Sequence, residues 1–157
     1  MHTKTKILIN CLIICMLLTG CGVDPKLTKF KQDIEDFCIT ISEIDMSINN
    51  VNAESEYATT ELLGYLDELD MKFQVFAQLD FPEEFDYLEA LADEASAYMT
   101  TAVESYHEAY KDNSYVEATA QYAQENYSRA YKRIQIIITF LHGDQLENGQ
   151  LPSSEGN

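Results

Sequence analysis

"LTKFKQDIEDFCITISEIDMSINNV", residues 27–51, decides the fold. Its apolar positions are Leu27, Phe30, Ile34, Phe37, Ile41, Ile44, Ile48 and Val51, separated by alternating steps of three and four. That rhythm places one apolar stripe along an α-helix and is sustained for more than three heptads. "NNVN", residues 49–52, ends the stripe in residues that favour turns.

The same rhythm continues downstream. A second segment, residues 55–79, carries Leu62, Leu66, Leu69, Phe73, Phe76 and Leu79. "DFPEEF", residues 80–85, interrupts it, and Asp80 with Glu83 has the spacing of a capping box that would open a third helix, with Pro82 in its first turn. The inner face of that helix is expected to hold Leu88, Leu91, Ala95, Tyr98, Met99, Ala102, Tyr106 and Tyr110. "KDNS", residues 111–114, stops it, and Ser114 with Glu117 repeats the capping-box spacing. A fourth helix then presents Val116, Tyr122, Tyr127, Ala130, Ile134, Ile137 and Leu141 before Gly143. "IQIIITF", residues 134–140, has strand-like β-branching, but with no partner strand in the chain it is read as helical.

Helices of about 25 residues extend about 37 Å, and short connections make sequential neighbours antiparallel. The expected fold is therefore all-α, an antiparallel up-down-up-down four-helix bundle over residues 27–142. A polar tail, residues 143–157, is expected to be disordered.

Upstream, Lys4 and Lys6 precede an apolar segment, residues 7–18, interrupted only by Asn10. A membrane-spanning helix needs roughly 20 apolar residues, whereas the core of a signal peptide needs about 7 to 15. Residues 1–20 therefore read as a signal peptide. Leu18-Thr19-Gly20-Cys21 resembles the lipobox of bacterial lipoproteins, which runs Leu, two small residues, then Cys. The resemblance implies a diacylglyceryl group on Cys21, cleavage between Gly20 and Cys21, and acyl chains that hold the protein to the extracytoplasmic side of a cell membrane. "FPEEFDYLEALADEA", residues 81–95, looks like stretches of many small helical bacterial lipoproteins, a likeness that implies a fold and no activity.

Residues 21–26 would form a short tether with a reach on the order of 15 Å, seating the bundle close to the lipid. Cys11 and Cys15 would leave with the signal, so Cys38 is the one cysteine of the mature chain without lipid. It reads as a small buried apolar residue, with an intermolecular bridge or a reactive thiol as the other readings.

The whole chain has a formal charge of −17, and removal of the signal leaves eight basic residues against 27 acidic ones. Nucleic acid is excluded as a partner, because phosphate binding needs a basic footprint. Seven of the eight, Lys26, Lys29, Lys31, Lys72, Arg129, Lys132 and Arg133, fall in the membrane-proximal parts of an up-down bundle. They would form a collar towards anionic lipid, or simply suit the helix termini.

Chemistry-bearing motifs are sparse. Glu104-x-x-His107 supplies one of the two Glu-x-x-His elements that a carboxylate-bridged two-metal bundle requires, and no second element exists. No loop has the spacing of a calcium-binding hand, and neither a nucleophile elbow nor a phosphate loop is present. Cys38 and His107 remain as a pair that folding would have to bring together. The expectation is a protein with no catalytic site, metal or cofactor.

The tyrosines are the feature left over. There are ten and no tryptophan, and seven of the ten lie in residues 98–131. A tyrosine combines an apolar body with a polar tip, which suits contact surfaces and pocket rims. Tyr98, Tyr106 and Tyr110 facing Tyr115, Tyr122 and Tyr127 would make an interaction face. The leading expectation is a non-catalytic envelope or surface interaction module that presents this face to a protein or peptide. The alternative is a binder of a small ligand or divalent cation, held between helices or on the acidic end.

Overall fold

The computed structural model describes residues 24–111 and 114–141. The expected signal peptide, Cys21, His142 and the polar tail lie outside these residues. Four helices make up the described chain: α1 Pro25–Asn49, α2 Ala58–Ala77, α3 Glu89–Ala109 and α4 Glu117–Leu141, with a 3₁₀ segment, Glu83–Leu88, before α3. Among the described residues there is no strand, and "IQIIITF" is helical throughout. None of these helices is long and apolar enough to cross a membrane.

Side-chain pairs fix the directions of the helices. Phe30 meets Phe81 just beyond α2, whereas Phe37, further along α1, meets Phe73 and Phe76. Thr100 bonds Asp70 and His107 bonds Asp67. Glu94 bonds Arg133, and Tyr106 bonds Gln124. In each helix pair the numbers rise on one side as they fall on the other, so α1 and α2, α2 and α3, and α3 and α4 run antiparallel.

The core follows the stripe on α1, where Phe30, Ile34, Phe37, Cys38, Ile41 and Ile44 are buried. Leu66, Leu69, Phe73 and Phe76 face them from α2. Burying side chains of this size stabilises by about 1.5 to 3 kcal/mol each. Aromatic rings concentrate at the end where the chain enters: Phe37 stacks on Phe76 at 4.2 Å between centroids, and Phe30 lies 4.9 Å from Phe81 and 6.1 Å from Phe85.

Three local expectations are corrected. α1 starts at Pro25, two residues before the apolar stripe, because the Asp24 carboxylate accepts from the Lys26 N–H at 2.9 Å and Pro25 fits the first turn. Asp80 and Glu83 do not open α3: Phe81 and Phe85 turn inward onto Phe30, the Phe85 N–H bonds the Pro82 carbonyl at 2.7 Å, and a 3₁₀ segment leads to the buried Leu88. Ser114 donates to the Lys111 carbonyl at 2.7 Å, closing the preceding turn, and α4 begins three residues later at Glu117.

The buried face of early α4 also differs from expectation. Val116 and Tyr122 are exposed, and Ala120, Ala123 and Asn126 are buried in their place. These small residues sit opposite the end of α3, where Ala102 and Ala109 are fully buried, and α3 and α4 approach more extensively than any other pair. Asn126, the one buried polar side chain in the described core, donates to the Tyr122 carbonyl at 2.9 Å.

Gly64 does not mark a close helix approach, since a Cβ added there would meet no atom within 4 Å. Gly64→Ala is expected to stabilise the bundle by about 0.5 to 1 kcal/mol, because alanine loses less backbone entropy in a helix. Chemical denaturation would show this as a higher midpoint with an unchanged slope.

Candidate functional site

While α3 and α4 close tightly, α1 and α4 hardly approach at the level of their backbones. The fourth seam of the bundle is therefore parted, and a cleft of about 830 Å³, open to solvent along one side, occupies it. That volume lies within the usual range for small-molecule sites, roughly 300 to 1,000 Å³. Its walls come from the second half of α1, the start of α2, the end of α3 and most of α4. The cleft thus occupies the half of the bundle away from the start of α1.

Ile41, Ile48, Leu62, Leu66, Ile134 and Ile138 make the apolar walls, and Tyr106, Tyr110, Tyr115, Tyr127 and Tyr131 stand among them. The two helices are bridged at one point, where the Tyr127 hydroxyl donates to the Asp45 carboxylate. Tyr131 stacks against Tyr127 at 4.9 Å and leans on the core ring of Phe73 at 5.6 Å. Its hydroxyl is buried beside Asp45 and Tyr127, close enough to influence the protonation of both.

The electrostatics of this cluster are set by burial. Loss of water pushes the Asp45 carboxyl above its ordinary value, and the tyrosine hydroxyls that point at it pull it back in part. Burial likewise raises Tyr127 and Tyr131, and the nearby carboxylate adds to both shifts. Tyr106 and Tyr110 are raised by burial and by neighbouring tyrosines. All of these phenols stay protonated in neutral water, and two of them donate, Tyr127 to Asp45 and Tyr106 to Gln124.

Because Asp45 holds its proton more tightly in the folded chain than in the unfolded one, its contribution to stability is greatest where both forms are protonated. It is lost as pH rises from the ordinary value of 3.8 through the raised folded value. Asp45→Asn abolishes this dependence. The stability difference, variant minus wild type, should therefore become more favourable to the variant as pH rises across that window, as denaturation at a series of pH values would show.

The six tyrosines of the expected face do not act together. Tyr106, Tyr110, Tyr115 and Tyr127 line the cleft. Tyr98 lies elsewhere on the α3/α4 seam, under the guanidinium groups of Arg129 and Arg133 at 5.8 and 5.4 Å from its ring. Tyr122 is 51% exposed and is not among the cleft residues. Tyr106 donates to Gln124 at 2.9 Å, and Tyr110 tilts against Tyr115 at 5.3 Å. Asp45 and Tyr131, which the tyrosine pattern alone did not single out, complete the cluster.

Comparison with protein-family models, curated proteins and solved structures yields no match.

The remaining candidates have ordinary partners. His107 bonds Asp67 at 2.7 Å, with both side chains about half exposed, and Glu104 is exposed. Among the described residues no group of three or more His, Cys, Asp or Glu stands together in a way that could hold a metal. Cys38 is buried in the core and borders the cleft. Of the basic residues, Lys29 pairs with Asp33, Arg129 with Glu125 and Arg133 with Glu94, so part of the collar is offset by acids within the bundle.

Proposed function

We propose that this chain is a membrane-anchored bacterial lipoprotein that acts as a non-catalytic envelope module, and that its working site is the cleft between α1 and α4. The observation that carries the reading is a parted seam with apolar walls and a polar cluster of Asp45, Tyr127 and Tyr131 among them. Ligand sites combine these features: an apolar enclosure binds the body of the guest, and a few placed polar groups orient it. A guest entering this cleft gains burial against Ile41, Ile48, Ile134 and Ile138 and meets Asp45, Tyr127 and Tyr131 at the floor.

The reading makes the cleft a small-ligand site. The exposure of Tyr115, at 59%, favours a second use, in which a protein or peptide touches the rim. A thermal-shift screen with small metabolites separates the two uses: a saturable rise in melting temperature supports the cleft, and an unchanged melting temperature across the screen supports the rim.

Lipid attachment at Cys21 supplies the anchor in this account, supported by the Leu18-Thr19-Gly20-Cys21 pattern. Two or more acyl chains hold a protein stably on a bilayer, at about 0.8 kcal/mol per buried methylene. Cys21→Ser is expected to leave an uncleaved precursor that takes up no labelled fatty acid. Normal processing of that variant would remove the anchor from the account.

A further inference from the structure

The cleft also carries a preference for the charge of its guest, an inference that rests on the cleft being the working site. Two of its lining residues carry an acidic or basic side chain, Asp45 and Lys132. They occupy different places. Asp45 is part-buried at the floor, bonded to Tyr127, while Lys132 is exposed at the rim, where a long flexible side chain can turn towards water.

Tyr127 and Tyr131 stand beside Asp45, and Tyr106, Tyr110 and Tyr115 line the same cleft. The face of an aromatic ring is the negative part of its quadrupole and attracts cations, most strongly when the ligand is desolvated. The surrounding chain is strongly acidic, with a formal charge of −17, so its field concentrates cations and repels anions near the surface.

We infer that the cleft takes an organic cation with an apolar body: an alkylated or quaternary ammonium group at the tyrosine-lined floor, with Asp45 as its counter-charge, and the body along the isoleucine walls. Each part of the guest meets a matching part of the site. A cation restores to the Asp45 carboxylate the stabilisation that burial removes. An anionic guest would meet a carboxylate and the negative faces of the rings. A neutral guest would gain the apolar contacts and nothing from the charge. The alkyl groups of an alkylated ammonium fit this setting better than a bare ammonium, which would leave donors without acceptors against the ring faces.

The test is isothermal titration of the full chain in uncharged maltoside micelles with three probes of similar bulk: benzyltrimethylammonium, benzyl alcohol and phenylacetate. The expected order is cation tightest and anion weakest. Asp45→Asn, which keeps the shape of the side chain, should weaken the cation about tenfold or more and leave the alcohol within about twofold. Tyr131→Leu, which removes one ring face, provides the same comparison if Asp45→Asn does not fold. Phenylacetate binding as tightly as the cation, or cation binding indifferent to both substitutions, would overturn the charge preference. If benzyl alcohol binds and the cation binds no better, the charge preference fails and the cleft stands; if none of the three binds, both fail.

Discussion

Phe73→Ala is expected to destabilise the bundle by about 3 to 5 kcal/mol, the cost of emptying a well-packed aromatic position. Phe73 is fully buried, and its ring lies 5.3 Å from Phe37 of α1 and 5.6 Å from Tyr131 of α4. The side chain therefore joins α1, α2 and α4 at the back of the cleft. Its loss creates a cavity and also removes the support on which Tyr131 leans, so binding at the cleft should weaken along with folding. Phe73→Leu keeps most of the volume and should lose less than half as much stability. Chemical denaturation of both variants checks this: a loss below about 1 kcal/mol for alanine would be typical of a surface position and would contradict the packing described.

The second large effect lies on the opposite seam. Ala102→Leu inserts three heavy atoms where α3 and α4 approach most extensively, at a fully buried position. Overpacking of this kind costs about 1 to 3 kcal/mol, because neither backbone can move without disturbing the other pairs. Ala97→Leu, on the exposed side of the same helix, should change stability by about 0.5 kcal/mol or less. Equal effects at the two positions would mean that the small residues do not set the spacing of α3 and α4.

The contrast between these seams explains the site. Seven fully or largely buried alanines draw α3 and α4 together, whereas isoleucines and tyrosines line the parted seam of α1 and α4. A bundle with one tight seam and one parted seam has a concave side, and Asp45 and Tyr127 bridge it at a single point.

The large aliphatic and aromatic stripes of α1 and α2 were legible because hydropathy contrast at three- and four-residue steps is strong there. All four helices follow from that pattern. Early α4 was less legible: Val116 and Tyr122 stand out by size, yet tight contact with α3 selects Ala120 and Ala123, whose small side chains carry little contrast. Neither expected capping box opens its helix: Phe81, Phe85 and Leu88 turn the chain inward before α3 starts, and Ser114 bonds back to the Lys111 carbonyl ahead of α4.

Of the cleft, the tyrosines were visible and their grouping was not. Spacing along one helix cannot show that Tyr98 would lie under two arginines while Tyr106 and Tyr110 face the parted seam. Asp45 did carry a signal: it stands four residues after Ile41 and three before Ile48, a carboxylate on the edge of an apolar stripe. Tyr131 stands four residues after Tyr127 and three before Ile134, in the same relation to the stripe of α4. What brings the two together is the width of the α1/α4 seam, which depends on all four helices at once.

The most direct measurement uses the ten tyrosines as reporters. With ring-labelled tyrosine in the full chain in maltoside micelles, benzyl alcohol is titrated to millimolar concentration and the ring resonances are followed by NMR. Saturable shifts are expected at Tyr106, Tyr110, Tyr115, Tyr127 and Tyr131, which line the cleft, with Tyr57, Tyr65, Tyr87, Tyr98 and Tyr122 unmoved. Shifts at Tyr98 and Tyr122 with none at Tyr127 and Tyr131, or no saturable shift at any ring, would contradict the assignment of the α1/α4 cleft as the binding site.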